Sequence, residues 1–164
     1  MIGTFIQALR KDRGSESAEK VTVHTKLVPN LVSLPHVGPA DIEAIVDRSL
    51  KRLRLDRLHL VQFFWWDLSV GRPYEILETL KFLREKGKIR HLGVTNWDVK
   101  QTAPFVDAGF NLVSTQVQYS LLDHRPTKGL ARWCEAHDIQ LLCYGVLAGG
   151  FLTEQWLDAP DPGF

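Results

Sequence analysis

Cysteine is scarce in this 164-residue chain: Cys134 and Cys143 are its two, with no CxxC pair and no histidine at metal-ligand spacing. That scarcity excludes a disulfide framework and a zinc module, and predicts two reduced thiols packed in the core. An excess of charge is missing too, since 20 Lys and Arg face 19 Asp and Glu for a net charge of +1. A chain so balanced carries no overall field to attract nucleic acid or an anionic membrane, so neither is expected as a partner. No apolar run reaches the length of a membrane span, and the first residues lack the charged and apolar regions of a signal peptide. A soluble, cytoplasmic chain is the expectation. Phosphate-loop, GxSxG and GxGxxG patterns are absent, and His36, His59, His91, His124 and His137 are scattered without a ligand pattern.

What the chain does have is regular alternation. Its 45% hydrophobic and 24% charged content is ordinary for a globular protein, and its length suits one domain, taken here as residues 1–164. Ile2, Phe5, Ile6 and Leu9 at helical spacing predict a helix ending near Leu9, followed by a charged connector to Lys20. Val21 to Lys26 alternates β-branched and polar groups as a strand does, and the run from Pro29 to Pro39 reads as a loop. Ile42, Ile45, Val46, Leu50 and Leu53 share one helical face, with Pro39 suited to the first turn. Leu58 to Phe64 is nearly all apolar, the pattern of a strand buried on both faces. Ile76, Leu77, Leu80 and Leu83 predict a helix capped by Gly87.

The alternation continues with a strand at His91 to Val94, a helix at Asp98 to Ala108 and a strand at Leu112 to Val117. A helix at Thr127 to His137 and a strand at Ile139 to Cys143 follow, then a loop-like tail with Pro160, Pro162 and Gly163. Five strands alternating with helices imply right-handed crossovers and a parallel sheet. Three of the strands run into polar or aromatic groups at their carboxyl ends, at Thr95-Asn96-Trp97, at Gln116 and at Tyr144-Gly145. This is the layout of a (β/α) barrel, whose strand ends carry the site. The fold class is therefore α/β, a partial TIM (β/α)8 barrel.

The words Val-Thr-Val-His-Thr-Lys ending at Lys26, Leu55 to Asp67, Lys88 to Trp97 and Gly145 to Gly150 resemble those of the aldo-keto reductase family, in order and in spacing from about Ile2 to Phe151. The resemblance implies an NADP-dependent oxidoreductase that moves a hydride between nicotinamide and a small carbonyl or alcohol. It implies for Lys26 the role of the family lysine, which pairs with a buried aspartate and favours ionisation of the tyrosine that protonates the carbonyl. A lysine taken out of water beside an anion or a phenol suits that task. Thr95 and Asn96 match a Ser-Asn pair, and Gln116 a glutamine, that together hold the nicotinamide carboxamide. An amide needs donors and acceptors, which these groups supply. Tyr144 matches an aromatic ring that stacks on the nicotinamide, and Gly145 begins a glycine-containing loop like the one the pyrophosphate approaches. No metal is implied.

Each position also has a plainer reading. Lys26 suits a strand exit, Asn96 the N-cap of the next helix, Gln116 a locally satisfied sheet residue and Tyr144 a packed rim residue. The cluster Phe63 to Trp66 fits core and pocket wall, and the run Arg48, Lys51, Arg52, Arg54 and Arg57 fits a solvated helix face. The chain also departs from the family, because Phe64 stands where a histidine orients the substrate carbonyl, and phenylalanine donates no hydrogen bond. The family pattern would supply the catalytic tyrosine and aspartate from two strands before Met1, and an adenosine-phosphate clamp from a last strand after Phe164. Two expectations follow. One is a central portion of a reductase that is inactive as this polypeptide. The other is a non-catalytic barrel remnant that pairs with a protein partner or with itself through open sheet edges.

Overall fold

The computed structural model describes residues 1–160. Pro162 and Gly163 of the expected tail lie outside the described residues. The chain alternates α1 (Ile2–Glu19), β1 (His24–Leu27), α2 (Pro39–Leu53), β2 (Leu58–Phe63), α3 (Pro73–Glu85), β3 (Ile89–Thr95), α4 (Val99–Asp107), β4 (Leu112–Gln118), α5 (Leu130–Ala136) and β5 (Gln140–Tyr144). The strands form one sheet in the order β1-β2-β3-β4-β5, every neighbouring pair parallel. This is the partial TIM barrel that the alternation predicts.

The main core lies between the sheet and its helices. Leu27, Val61, Phe63, Leu92 and Val94 from the strands pack with Ile42 and Val46 of α2 and Ile76, Leu77 and Leu80 of α3. Side chains on a strand alternate between faces. The residues between these, including Lys26, Gln62, Gly93 and Thr95, therefore point to the opposite, inner face. Phe63 and Trp65 are 0% and 2% exposed while Trp66 is 50% exposed, so the aromatic run divides into core and rim rather than acting as one wall.

Sequence and structure differ where local chemistry competes with pattern. The expected connector after Leu9 is helical as far as Glu19, interrupted at Gly14, and Ala18 returns to pack with Ile6 and Val23. β1 starts at His24 rather than Val21, because the Val23 amide donates to Nδ1 of His59 at 3.1 Å instead of joining the ladder. A single 3-10 turn, Leu34–His36, interrupts the expected loop. The helix expected from Thr127 is a 3-10 turn at Arg125–Thr127 and a short α5, separated at Gly129 where φ is 127°. Another 3-10 turn, Glu154–Trp156, stands in the expected tail. Gly87 has φ 81° just past α3, as its capping role requires. The basic run on and after α2 is exposed throughout.

Only one of the two cysteines is a core thiol. Cys134 is buried with Val117, Leu130 and Ile139, whereas Cys143 is exposed, because no described helix covers its part of β5. Burial pushes the Cys134 thiol up to about 11. A native-state titration with a thiol reagent near neutral pH is therefore expected to label Cys143 rapidly and Cys134 only on unfolding.

β3 and β4 approach closely where β3 has no side chain. A Cβ at Gly93 would collide with the Ser114 hydroxyl and lie 2.8 Å from the Ser114 carbonyl oxygen. Backbone cannot yield as a flexible side chain does. Gly93→Ala is expected to lower stability by about 1–3 kcal/mol, read as a lower urea midpoint with an unchanged slope.

Candidate active site

The inner face is polar at the carboxyl ends of the strands, and the register decides which residues meet. Gly93 pairs with Ser114, and Thr95 with Gln116. Lys26 pairs with Gln62, and Gln62 with Gly93. Beyond Thr95 the chain turns sharply: Asn96 has φ 58°, a left-handed conformation that asparagine tolerates better than most residues, and its amide donates to the Gln116 carbonyl at 2.8 Å. Thr95, Asn96 and Gln116 are thus held together by backbone as well as by sequence order.

The turn is held from behind by Trp97. Its ring meets Phe63 edge-on at 5.5 Å and stacks on Phe105 at 5.1 Å, leaving 2% exposure. Asp98 then starts α4 through a reciprocal cap, accepting from the Gln101 amide at 2.8 Å while its own amide donates to Gln101 Oε1. The cap is Asp98, not Asn96, so the plainer reading of Asn96 does not hold. Its side chain is used elsewhere: the Tyr144 hydroxyl donates to Asn96 Oδ1 at 3.0 Å.

Unsatisfied polar atoms mark this face. Gln62 Nε2, Ser114 Oγ, Thr95 Oγ1 and Gln116 Oε1 are buried with no hydrogen-bond partner among the described residues. Gln116 is therefore not locally satisfied, contrary to its plainer reading. Leaving such groups unpaired costs about 1–3 kcal/mol each, so a cluster of them on one face calls for a ligand, water or further chain to meet it. Thr95 Oγ1, the Asn96 side chain and Gln116 Oε1 together offer the donors and acceptors that a primary amide requires. The residues present fit a nicotinamide carboxamide.

The remaining expected residues fall around this cluster. Tyr144 ends β5 and is 39% exposed, joined to Asn96 rather than packed away in the rim. Gly145 follows with φ 67°, turning the chain back over Gln118, whose Cγ a Cβ at 145 would approach to 3.3 Å. Lys26 stands apart on β1, across β2 from the others. It is exposed, not taken out of water as expected, because no described strand pairs with the outer edge of β1. Phe64 is half-buried and touches Trp66 edge-on at 5.0 Å, and its amide donates to the Leu27 carbonyl. No group of three or more metal-ligating side chains occurs among the described residues, and no described helix is long and apolar enough to cross a membrane.

Gln62 and Ser114 were not singled out by sequence. The available signal was a polar residue at the inner-facing parity of an otherwise apolar strand.

Comparison with known proteins agrees with this architecture. The model of the Aldo/keto reductase family matches residues 1–164. Flagellar radial spoke protein 5 of Chlamydomonas reinhardtii is 26% identical over 99% of this chain and 36% of its own length. Aldo-keto reductase YhdN of Bacillus subtilis is 35% identical over 72% of this chain and 35% of its own length. Among solved structures, an aldo/keto reductase from Klebsiella pneumoniae in complex with NADP and acetate superposes with a TM-score of 0.73 at 26% identity, covering 91% of this chain and 49% of that one. The chain spans between about a third and a half of the length of these three relatives. With five parallel strands alternating with helices and a family match along its whole length, the chain belongs to the Aldo/keto reductase family.

Proposed function

We propose that residues 1–164 form a single, incomplete (β/α) barrel domain that holds the nicotinamide end of NADP in a reductase acting on small carbonyl or alcohol substrates. The observation that carries this reading is the pair of buried, unpartnered atoms Thr95 Oγ1 and Gln116 Oε1 beside Asn96. When bound, the nicotinamide supplies or accepts the hydride. Thr95, Asn96 and Gln116 would grip its carboxamide, and Tyr144 would release Asn96 to support the ring. Gly145 and the turn after it would lie along the nucleotide. The NADP complex of the Klebsiella pneumoniae relative supports the choice of cofactor.

Lys26 would lend its positive charge to a proton donor at the mouth. Of the four catalytic positions that the family pattern implies, Lys26 is the one retained within these 164 residues, since Phe64 takes the place of the histidine. The polypeptide by itself is therefore proposed to bind cofactor without useful turnover.

A non-catalytic, partner-binding role is the second reading. Phe64 favours it, as does the likeness along 99% of the chain to a flagellar radial spoke protein. A cytoplasmic location suits either role.

NADPH titration followed by nicotinamide fluorescence separates the two. Saturable binding is expected, weakened about tenfold by Thr95→Val, which removes one hydrogen bond of roughly 1.4 kcal/mol. Because that substitution also removes an unpaired buried hydroxyl, its urea midpoint is expected to stay level or rise. Absence of NADPH binding by the folded chain would favour the second reading. No aldehyde-dependent NADPH oxidation is expected from the pure 164-residue chain, and turnover at a rate typical of a reductase would contradict its proposed inactivity.

A further inference from the structure

A recess bordered by Asn96 and Tyr144 lies between the start of α4 and the segment leading into α5. It encloses about 560 Å³, within the size range of small-molecule sites. Its polar lining is dominated by donors. Lys100, Arg125 and Lys128 bring three cations against one carboxylate, Asp98, and that carboxylate is already accepting the Gln101 amide.

Neither Lys100 nor Lys128 has a carboxylate within ion-pair distance among the described residues. Arg125 is paired with Asp123 at 2.6 Å, so the two lysines carry the uncompensated charge.

Trp97 and Asn96 border the same recess. Trp97 is 2% exposed, and its Nε1 is buried without a hydrogen-bond partner. Asn96 accepts the Tyr144 hydroxyl on Oδ1, which leaves its Nδ2 group to donate. The rest of the wall is apolar, formed by Val99, Val117, Pro126 and Leu130. Two ammonium groups without carboxylate partners favour an anion, while the apolar wall favours carbon.

We propose that this recess binds a small organic carboxylate with an aromatic or branched apolar body, its oxygens held by Lys100 and Lys128. The recess adjoins the carboxamide cluster at Asn96 and Tyr144, which border both, whereas Lys100 and Lys128 belong to the recess alone, so the lysine substitutions separate this proposal from the nicotinamide reading.

The test is a titration of the full chain with benzoate, followed by calorimetry and by the indole N–H resonance of Trp97. Benzyl alcohol serves as the neutral match and inorganic phosphate as the anion without an apolar body. Saturable one-to-one benzoate binding is expected, with the Trp97 resonance moving and benzyl alcohol giving no saturation. Lys100→Gln with Lys128→Gln is expected to weaken benzoate about tenfold with an unchanged melting curve, and Lys11→Gln on α1 to leave affinity unchanged. Absence of benzoate binding, or affinity insensitive to the double substitution, overturns the site. Phosphate binding as tightly as benzoate would overturn the role assigned to the apolar wall.

Discussion

Everything at the carboxyl end of the sheet depends on a slip of register between β3 and β4. Leu92 pairs with Leu112, but the next residue, Gly93, pairs with Ser114 and skips Val113. A continuous ladder would set Thr95 opposite Thr115. Because facing alternates with every residue, Thr115 would then share the inner face with Thr95, and Gln116 would turn to the outer face. The bulge instead brings Ser114 and Gln116 to the inner face, and the close contact between Gly93 and Ser114 fixes where it falls. A backbone irregularity of one residue thereby brings a hydroxyl and an amide side chain to one level.

The same region shows how packing energy is turned into placement. Trp97 lies wedged between Phe63 and Phe105, and Tyr74 stacks on the far side of Phe105 at 4.2 Å. Those rings tie β2, α3 and α4 to the residue just after Asn96. The left-handed turn at Asn96 is therefore bracketed by an anchored strand and an anchored indole, and its side chain has little freedom to wander. Preorganised polar groups held this way can remain unpaired in the fold without collapsing onto one another.

Much of this was legible in sequence, for identifiable reasons. The helices α2 and α3 and the strands β2 to β4 announce themselves because their apolar periods are long and uninterrupted. Thr95, Asn96, Gln116 and Tyr144 were visible as polar or aromatic words closing apolar strands. The bulge at Val113 was not legible, since an extra residue in a strand leaves no mark on composition. Nor was the start of β1, which depends on a histidine 36 residues away in sequence accepting the Val23 amide. The exposure of Lys26 and Cys143 was missed because burial depends on which neighbours cover a strand, and residue type alone carries no record of them.

The hydrogen bond from Tyr144 to Asn96 gives the cluster a selectivity that its inventory of groups does not reveal. An amide that takes the place of the Tyr144 hydroxyl at Asn96 Oδ1 exchanges one donor for another. At that atom the exchange is close to neutral, one bond for another. A bare amide, such as free nicotinamide or an asparagine side chain, gains little there. Discrimination then falls to whatever else a ligand brings: contact with Thr95 and Gln116, and a body large enough to hold the displaced ring. Under the proposed reading the bond would act as a threshold, favouring whole ligands over fragments.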